Sequence, residues 1–206
     1  MGVARSGEAA TGREPGARSG RRDQLLEIAA GLFATQGYAE TTMRDIADAT
    51  GILAGSIYHH FSSKEAMLDE LLRGFLVDLH ERFAAAEREN TDPQETLSTL
   101  IRISFSCISE SPHAVAVYQN ESATLQRQEA FAYVGDYGVR IERIWLRVLT
   151  AGQEAGVVRS GLDVKVAYLF MRDAIWSAVR WYRPGGQLSL ETVADQYRDL
   201  LYGGLF

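Results

Sequence analysis

The sequence predicts an all-α protein: a set of short helices at the N-terminus, then a larger helical bundle. Three observations predict it. Apolar residues recur three and four apart through most of the 206 residues, the spacing of one helix face. No stretch shows the period of two that a half-buried strand requires, and there is no internal repeat. Cap and stop residues fall where one helical stretch gives way to the next. With 46% hydrophobic residues, the chain can fill a substantial core.

Residues 1–20 are rich in Gly, Ala, Ser and Arg and have the composition of a flexible arm. From Arg21 the pattern becomes helical. Leu25, Ile28, Ala29, Leu32 and Phe33 share one face, and Gly37 is a natural stop. Thr42, with Asp45 three residues on, resembles a capping box in which Asp replaces the usual Glu or Gln. It opens a short helix with Ile46, Ala47 and Ala49 as its apolar face and Gly51 as its end. Ala54 to Phe61 fit a second short helix, turning Ile57 and Phe61 inward and leaving Ser56, Tyr58, His59 and His60 outside. Ser63 then caps the long amphipathic stretch "KEAMLDELLRGFLVDLHERFAAAERE". Two short helices joined by a glycine turn and braced by longer ones describe a helix-turn-helix, here over residues 21–66.

Residues 67–206 read as helices throughout. Asp92-Pro93 opens one that runs through Leu97, Leu100, Ile101 and Phe105, and Ser111-Pro112 ends it and starts another. A further helix covers about Ala130 to Ala155, with Gly156 and Gly161 in the turn that follows. The last two stretches, "DVKVAYLFMRDAIWSAVRWY" and "LETVADQYRDLLYGGLF", are separated by "RPGG".

Charge and composition exclude several classes of function. A net charge of −6 argues against coating nucleic acid or anionic membrane by bulk attraction. Its distribution is uneven. Residues 1–22 carry five Arg against two Glu, whereas residues 67–206 carry 14 basic against 19 acidic groups. Local phosphate contacts are therefore compatible with an acidic whole. No apolar stretch is long enough to span a membrane, and the first twenty residues lack the apolar middle of a secretory signal, so a cytoplasmic location is expected. The single cysteine, Cys107, reads as a buried small hydrophobe. Four His residues show no metal-ligand spacing; His59 and His60 are adjacent, about 100° apart on a helix. No nucleophile elbow or P-loop is present, so no catalytic residue, metal or cofactor is expected.

The ordered set "TTMRDIA", Gly51, "YHHF" and "SKE", following the Phe33–Gly37 helix end, resembles the TetR family of bacterial transcriptional regulators across about the first 70 residues. The resemblance implies a three-helix DNA-binding domain followed by a ligand-binding and dimerisation bundle. Physical chemistry agrees. Small residues at the head of a recognition helix let its backbone approach base edges, and Ala54, Gly55 and Ser56 supply that clearance. Tyr58 can donate to a phosphate, His59 can meet a phosphate or a base, and His60 belongs partly to the supporting face. Thr42, Arg44 and Lys64, at or next to helix N-termini, are placed to hold the DNA backbone. Two departures from the family pattern stand out. Leu53 occupies a capping position often held by Ser or Thr, and Ala54 one near which Lys or Arg is frequent. More of the affinity is therefore expected from Lys64, Arg44 and the Arg-rich arm.

The combination of "FMRDAIWSAVRWYRPGG", "AVYQNES", "GILAGSIYHHFSSKEAM" and "LLYGG" is similar to the actinobacterial TetR repressors of late, ring-degrading cholesterol catabolism. That resemblance implies an effector that is a coenzyme A thioester of a steroid-ring fragment, a homodimer, and an inverted-repeat operator released on effector binding. An acyl-CoA needs an apolar pocket together with cations and aromatic surface. Arg172 and Trp176 share a helix face, and Arg180 and Trp181 extend the set. Tyr118 and Gln119 are further pocket candidates. The same Arg and Trp residues could instead be ion-paired packing anchors in a helical dimer interface. Other effectors, a drug or a fatty acyl-CoA, remain open alternatives. A cationic drug would need acids such as Glu121 or Asp173 facing it. An enzyme acting on a thioester and a helical interaction module with a vestigial DNA reader are rival classes.

Overall fold

The structure, a computed structural model, describes residues 15–183 and 186–205. These residues form nine α-helices and one 3-10 turn, with no strand among them. In chain order the helices are α1 (Pro15–Gln36), α2 (Met43–Thr50), α3 (Ala54–Ile57), α4 (Lys64–Glu89), α5 (Pro93–Glu110), α6 (Pro112–Leu125), α7 (Ala132–Glu154), α8 (Val164–Trp181) and α9 (Leu190–Leu205); the 3-10 turn, Glu129–Phe131, precedes α7.

Local chemistry sets most boundaries. Thr42 and Asp45 form the full capping box at α2, and Gly51 ends that helix at φ 67°, a left-handed conformation that glycine adopts without penalty. Ser63, Asp92 and Asp163 cap α4, α5 and α8 with side-chain bonds to backbone N–H groups. Pro93 and Pro112 stand in the first turns of α5 and α6, where a missing N–H costs no helical bond.

Three expectations are corrected. First, α1 begins at Pro15 rather than near Arg21, because proline at the first helical position is preset for the helix. Of the proposed arm, residues 15–20 are therefore helical, and residues 1–14 lie outside the described residues. Second, α3 ends at Ile57, and Tyr58 to His60 form a turn. Leu53 supplies no side-chain cap, the run that follows has modest helix propensity, and a tight His60 N–H bond to the Ile57 carbonyl (2.8 Å) closes the segment. Ile57 and Phe61 are nevertheless both buried. Third, Ala49 is exposed, so the inner face of α2 is Ile46 and Ala47.

One continuous core joins the two parts. It runs from Leu25 and Phe33 through Ile57 and Met67 into Phe83, Leu100, Ile144 and Ile175. The long helix α4 packs against α1, α5, α6 and α7, and α1 also lies along α6. The helix-turn-helix is thus mounted on the bundle through α1 and α4. Cys107 is buried in the core and its thiol is pushed up to about 11, chiefly by desolvation, which leaves it protonated.

Candidate DNA-reading face and effector site

At the N-terminal end, Ala54, Gly55, Ser56, Tyr58 and His59 are all exposed, and His60 is half-buried. Thr42, Arg44, Tyr58 and Lys64 line one open cleft between the starts of α2 and α4. The structure therefore brings the expected DNA-reading residues to one face, but with two of them already engaged. The Thr42 hydroxyl donates to Asp45 Oδ2 at 2.7 Å, and its backbone N–H donates to the same oxygen at 2.8 Å. Those bonds hold the Asp45 carboxyl below its ordinary range. Lys64 Nζ donates to the carbonyls of Tyr38, Ala39 and Thr41 at 2.9, 3.2 and 3.0 Å and lies 4.5 Å from the Tyr38 ring centroid. It ties the α1–α2 loop to the start of α4 as well as placing a charge there. Arg44 makes only a loose, exposed pair with Asp48 at 4.0 Å.

Two arginines that follow the arm have partners within the protein. Arg22 pairs with Glu70 of α4 and lies 4.2 Å over the Phe61 ring. Arg21 reaches Gln24 and the carbonyl of Thr50.

In the bundle, Arg172, Trp176 and Tyr118 meet where α4, α6 and α8 come together. Phe75 of α4 bridges them, with ring centroids 5.9 Å from Tyr118 and 6.3 Å from Trp176. Trp176 is 8% exposed. The Arg172 guanidinium is half-buried, bonded to Asp173 at 2.8 Å and 5.7 Å from the Tyr168 ring. Burial raises the Tyr118 phenol and pushes Tyr168 up to about 12, while the neighbouring Arg172 opposes both shifts. Neutral phenols thus stand beside the Arg172–Asp173 ion pair, whose guanidinium could turn to an anionic group attached to an apolar body. Gln119 follows Tyr118 and is half-buried.

Arg180 and Trp181 do not join this cluster. Trp181 lies about 140° round the helix from Trp176 and is 53% exposed, on the same outer strip as Val166 and Phe170. Arg180 stands one turn beyond Trp176 and is exposed. Phe75 and Tyr168 were missed from sequence. Tyr168, four residues before Arg172 on one face, was legible; Phe75 has the pattern of any core position of an amphipathic helix. Neither acid considered for a cationic ligand is free: Asp173 holds Arg172, and Glu121 accepts the Tyr38 backbone N–H at 3.4 Å.

The same α6 that carries Tyr118 is fastened to α1 and the loop after it. His113 Nδ1 lies 2.8 Å from Glu27 Oε1, and a Cβ on Gly31 would come within 3.4 Å of the His113 ring. Among the described residues no group of acids, His and Cys is placed to hold a metal, and no helix is long and apolar enough to cross a membrane.

Comparison with known proteins accounts for both parts. Residues 25–71 match the family described as bacterial regulatory proteins, tetR family, and residues 90–205 the tetracyclin repressor-like C-terminal domain. The chain is 48% identical over 188 residues to the HTH-type transcriptional repressor KstR2 of Rhodococcus jostii (strain RHA1), covering 91% of this chain and 92% of that protein. It is 45% identical over 193 residues to KstR2 of Mycobacterium tuberculosis (strain H37Rv), covering 94% and 96%. The solved structure of the ketosteroid transcriptional regulator KstR2 of M. tuberculosis superposes with a TM-score of 0.87 at 46% identity, covering 90% of this chain and 94% of that one. With family models matching both its N-terminal and C-terminal parts and relatives that are transcriptional repressors rather than enzymes, the chain belongs to the TetR family of ligand-responsive transcriptional regulators.

Proposed function

We propose that the protein represses genes of steroid-ring breakdown by binding an inverted-repeat operator as a homodimer, and that a CoA thioester of a steroid-ring fragment releases it. The observation that carries the effector is the meeting of Arg172 with Trp176, Tyr118, Phe75 and Tyr168: apolar and aromatic surface for a ring fragment, and a half-buried cation for the anionic part of CoA. Likeness to regulators named for ketosteroids supports the steroid class. The dimer rests on the outer strip of α8 and α9, where Phe170 is 74% and Leu200 73% exposed. Two-fold pairing there would present two α3 helices to two half-sites, which is the origin of the inverted repeat. The setting of such a repressor is cytoplasmic.

Release follows from differential affinity. An effector that fits better when the reading heads stand further apart shifts the dimer away from the form that fits both grooves. The test is fluorescence anisotropy of labelled promoter DNA at fixed salt, titrated with the thioester, its free acid and plain CoA. Release by the thioester alone is the expected outcome. R172A should keep operator affinity and need roughly 10- to 100-fold more thioester, the effect of losing a charge-assisted contact. Tight DNA binding that none of the three compounds alters would sink the effector and leave the DNA-binding regulator standing.

A further inference from the structure

We infer that Leu53 reads sequence, by seating its side chain against the 5-methyl group of a thymine in each operator half-site. This rests on the placement of α3 in the major groove and goes beyond it by naming an apolar base contact.

Among the described residues, Leu53 is the most exposed of the large hydrophobic side chains. Val166, Phe170, Trp181 and Leu200 lie on α8 and α9, along the face assigned to dimer pairing, Val139 lies on α7 and Leu188 just before α9, while Leu53 and Tyr58 flank α3 at the DNA-reading end. Leu53 is 81% exposed, and none of the described residues covers it. It also breaks a local rule. As N-cap of α3, with extended backbone (φ −66°, ψ 136°), it stands where Ser, Thr, Asp or Asn would bond the first free N–H groups, and it makes no such bond. A residue that forgoes a cap and leaves its apolar surface in water is accounted for by a partner that covers it on binding.

The surroundings identify the chemistry of that partner. Ala54, Gly55 and Ser56 beside it are small and exposed, so the backbone can approach the base edges and carry the four-carbon side chain of Leu53 with it. Leucine neither donates nor accepts a hydrogen bond. On the floor of the major groove the apolar feature available to it is the thymine methyl.

The test uses full-length protein and an operator selected from a randomised duplex library. Each thymine of the selected operator is replaced in turn by uracil, which removes the methyl and keeps the pairing. For the wild-type protein one position per half-site should weaken binding by about fourfold, the effect of leaving one methyl unburied. L53A should bind the parent operator more weakly and lose the distinction between thymine and uracil at that position. Leu53 is exposed, so L53A should keep the wild-type melting temperature. Indifference of the wild-type protein to every uracil, or discrimination that persists in L53A, overturns the inference while DNA binding stands. Failure to select any duplex would overturn the DNA-reading assignment itself and this contact with it.

Discussion

Thr42 shows how one side chain can serve both folding and binding. Its hydroxyl and N–H are committed to Asp45, and its oxygen also accepts the Asp45 N–H, so the bonds that start α2 lie on the face proposed to meet DNA. T42A should lower stability by about 1 kcal/mol in denaturant unfolding, with T42S recovering most of it. Asp45 adds a pH dependence. Its carboxyl is held below the ordinary 3.8 by the Thr42 bonds, so its contribution is present above that value and is lost as pH falls through the lowered native value. D45N should therefore flatten the acid limb of stability against pH and leave its neutral region level. The capping box was legible because cap and carboxylate sit at fixed spacing; the triple engagement of Lys64 was not, because its carbonyl partners lie 23 to 26 residues away.

At the scale of elements, α3 and α8 show what periodicity can and cannot assign. Periodicity placed Ile57 and Phe61 inward correctly but carried the helix one turn too far, since a tight turn and a helical turn bury the same pair. On α8, Arg172, Trp176, Arg180 and Trp181 look like one set in sequence. Rotation separates them: the first two meet Tyr118 and Phe75, whereas Trp181 joins Val166 and Phe170 on the outer strip. F170E should accordingly break the dimer. Sedimentation should give a monomer, and operator affinity should fall by at least about 100-fold, the two half-sites no longer being linked, while the circular dichroism of the helices is retained.

Across the whole molecule, α6 joins the proposed effector cluster to the proposed DNA-reading face. Tyr118 packs on Phe75, and one turn on, Glu121 holds the N–H of Tyr38, whose ring stands beneath Lys64. E121A, which removes the acceptor, should leave operator affinity and effector affinity each nearly unchanged and weaken their coupling by about tenfold, read as the residual DNA binding at saturating thioester. None of this linkage could be read from the sequence, because Glu121 and Tyr38 are 83 residues apart and neither belongs to a motif that points to the other. The tether on Lys64 has a further consequence, for ions. Residues 23–66 contain only two cations, Arg44 and Lys64, against six acids. A dimer that displaces condensed counterions from DNA through these four positive charges alone should show a slope of log affinity against log salt of roughly −3 to −4, and a steeper slope would assign phosphate contacts to Arg5, Arg13 and Arg18 of the arm. Operator affinity should fall only about 150-fold between 50 and 200 mM KCl, where a repressor making ten phosphate contacts loses about 10⁵-fold. Such a repressor finds its operator with little electrostatic steering and keeps its occupancy through changes in ionic strength that would strip a more basic one from DNA.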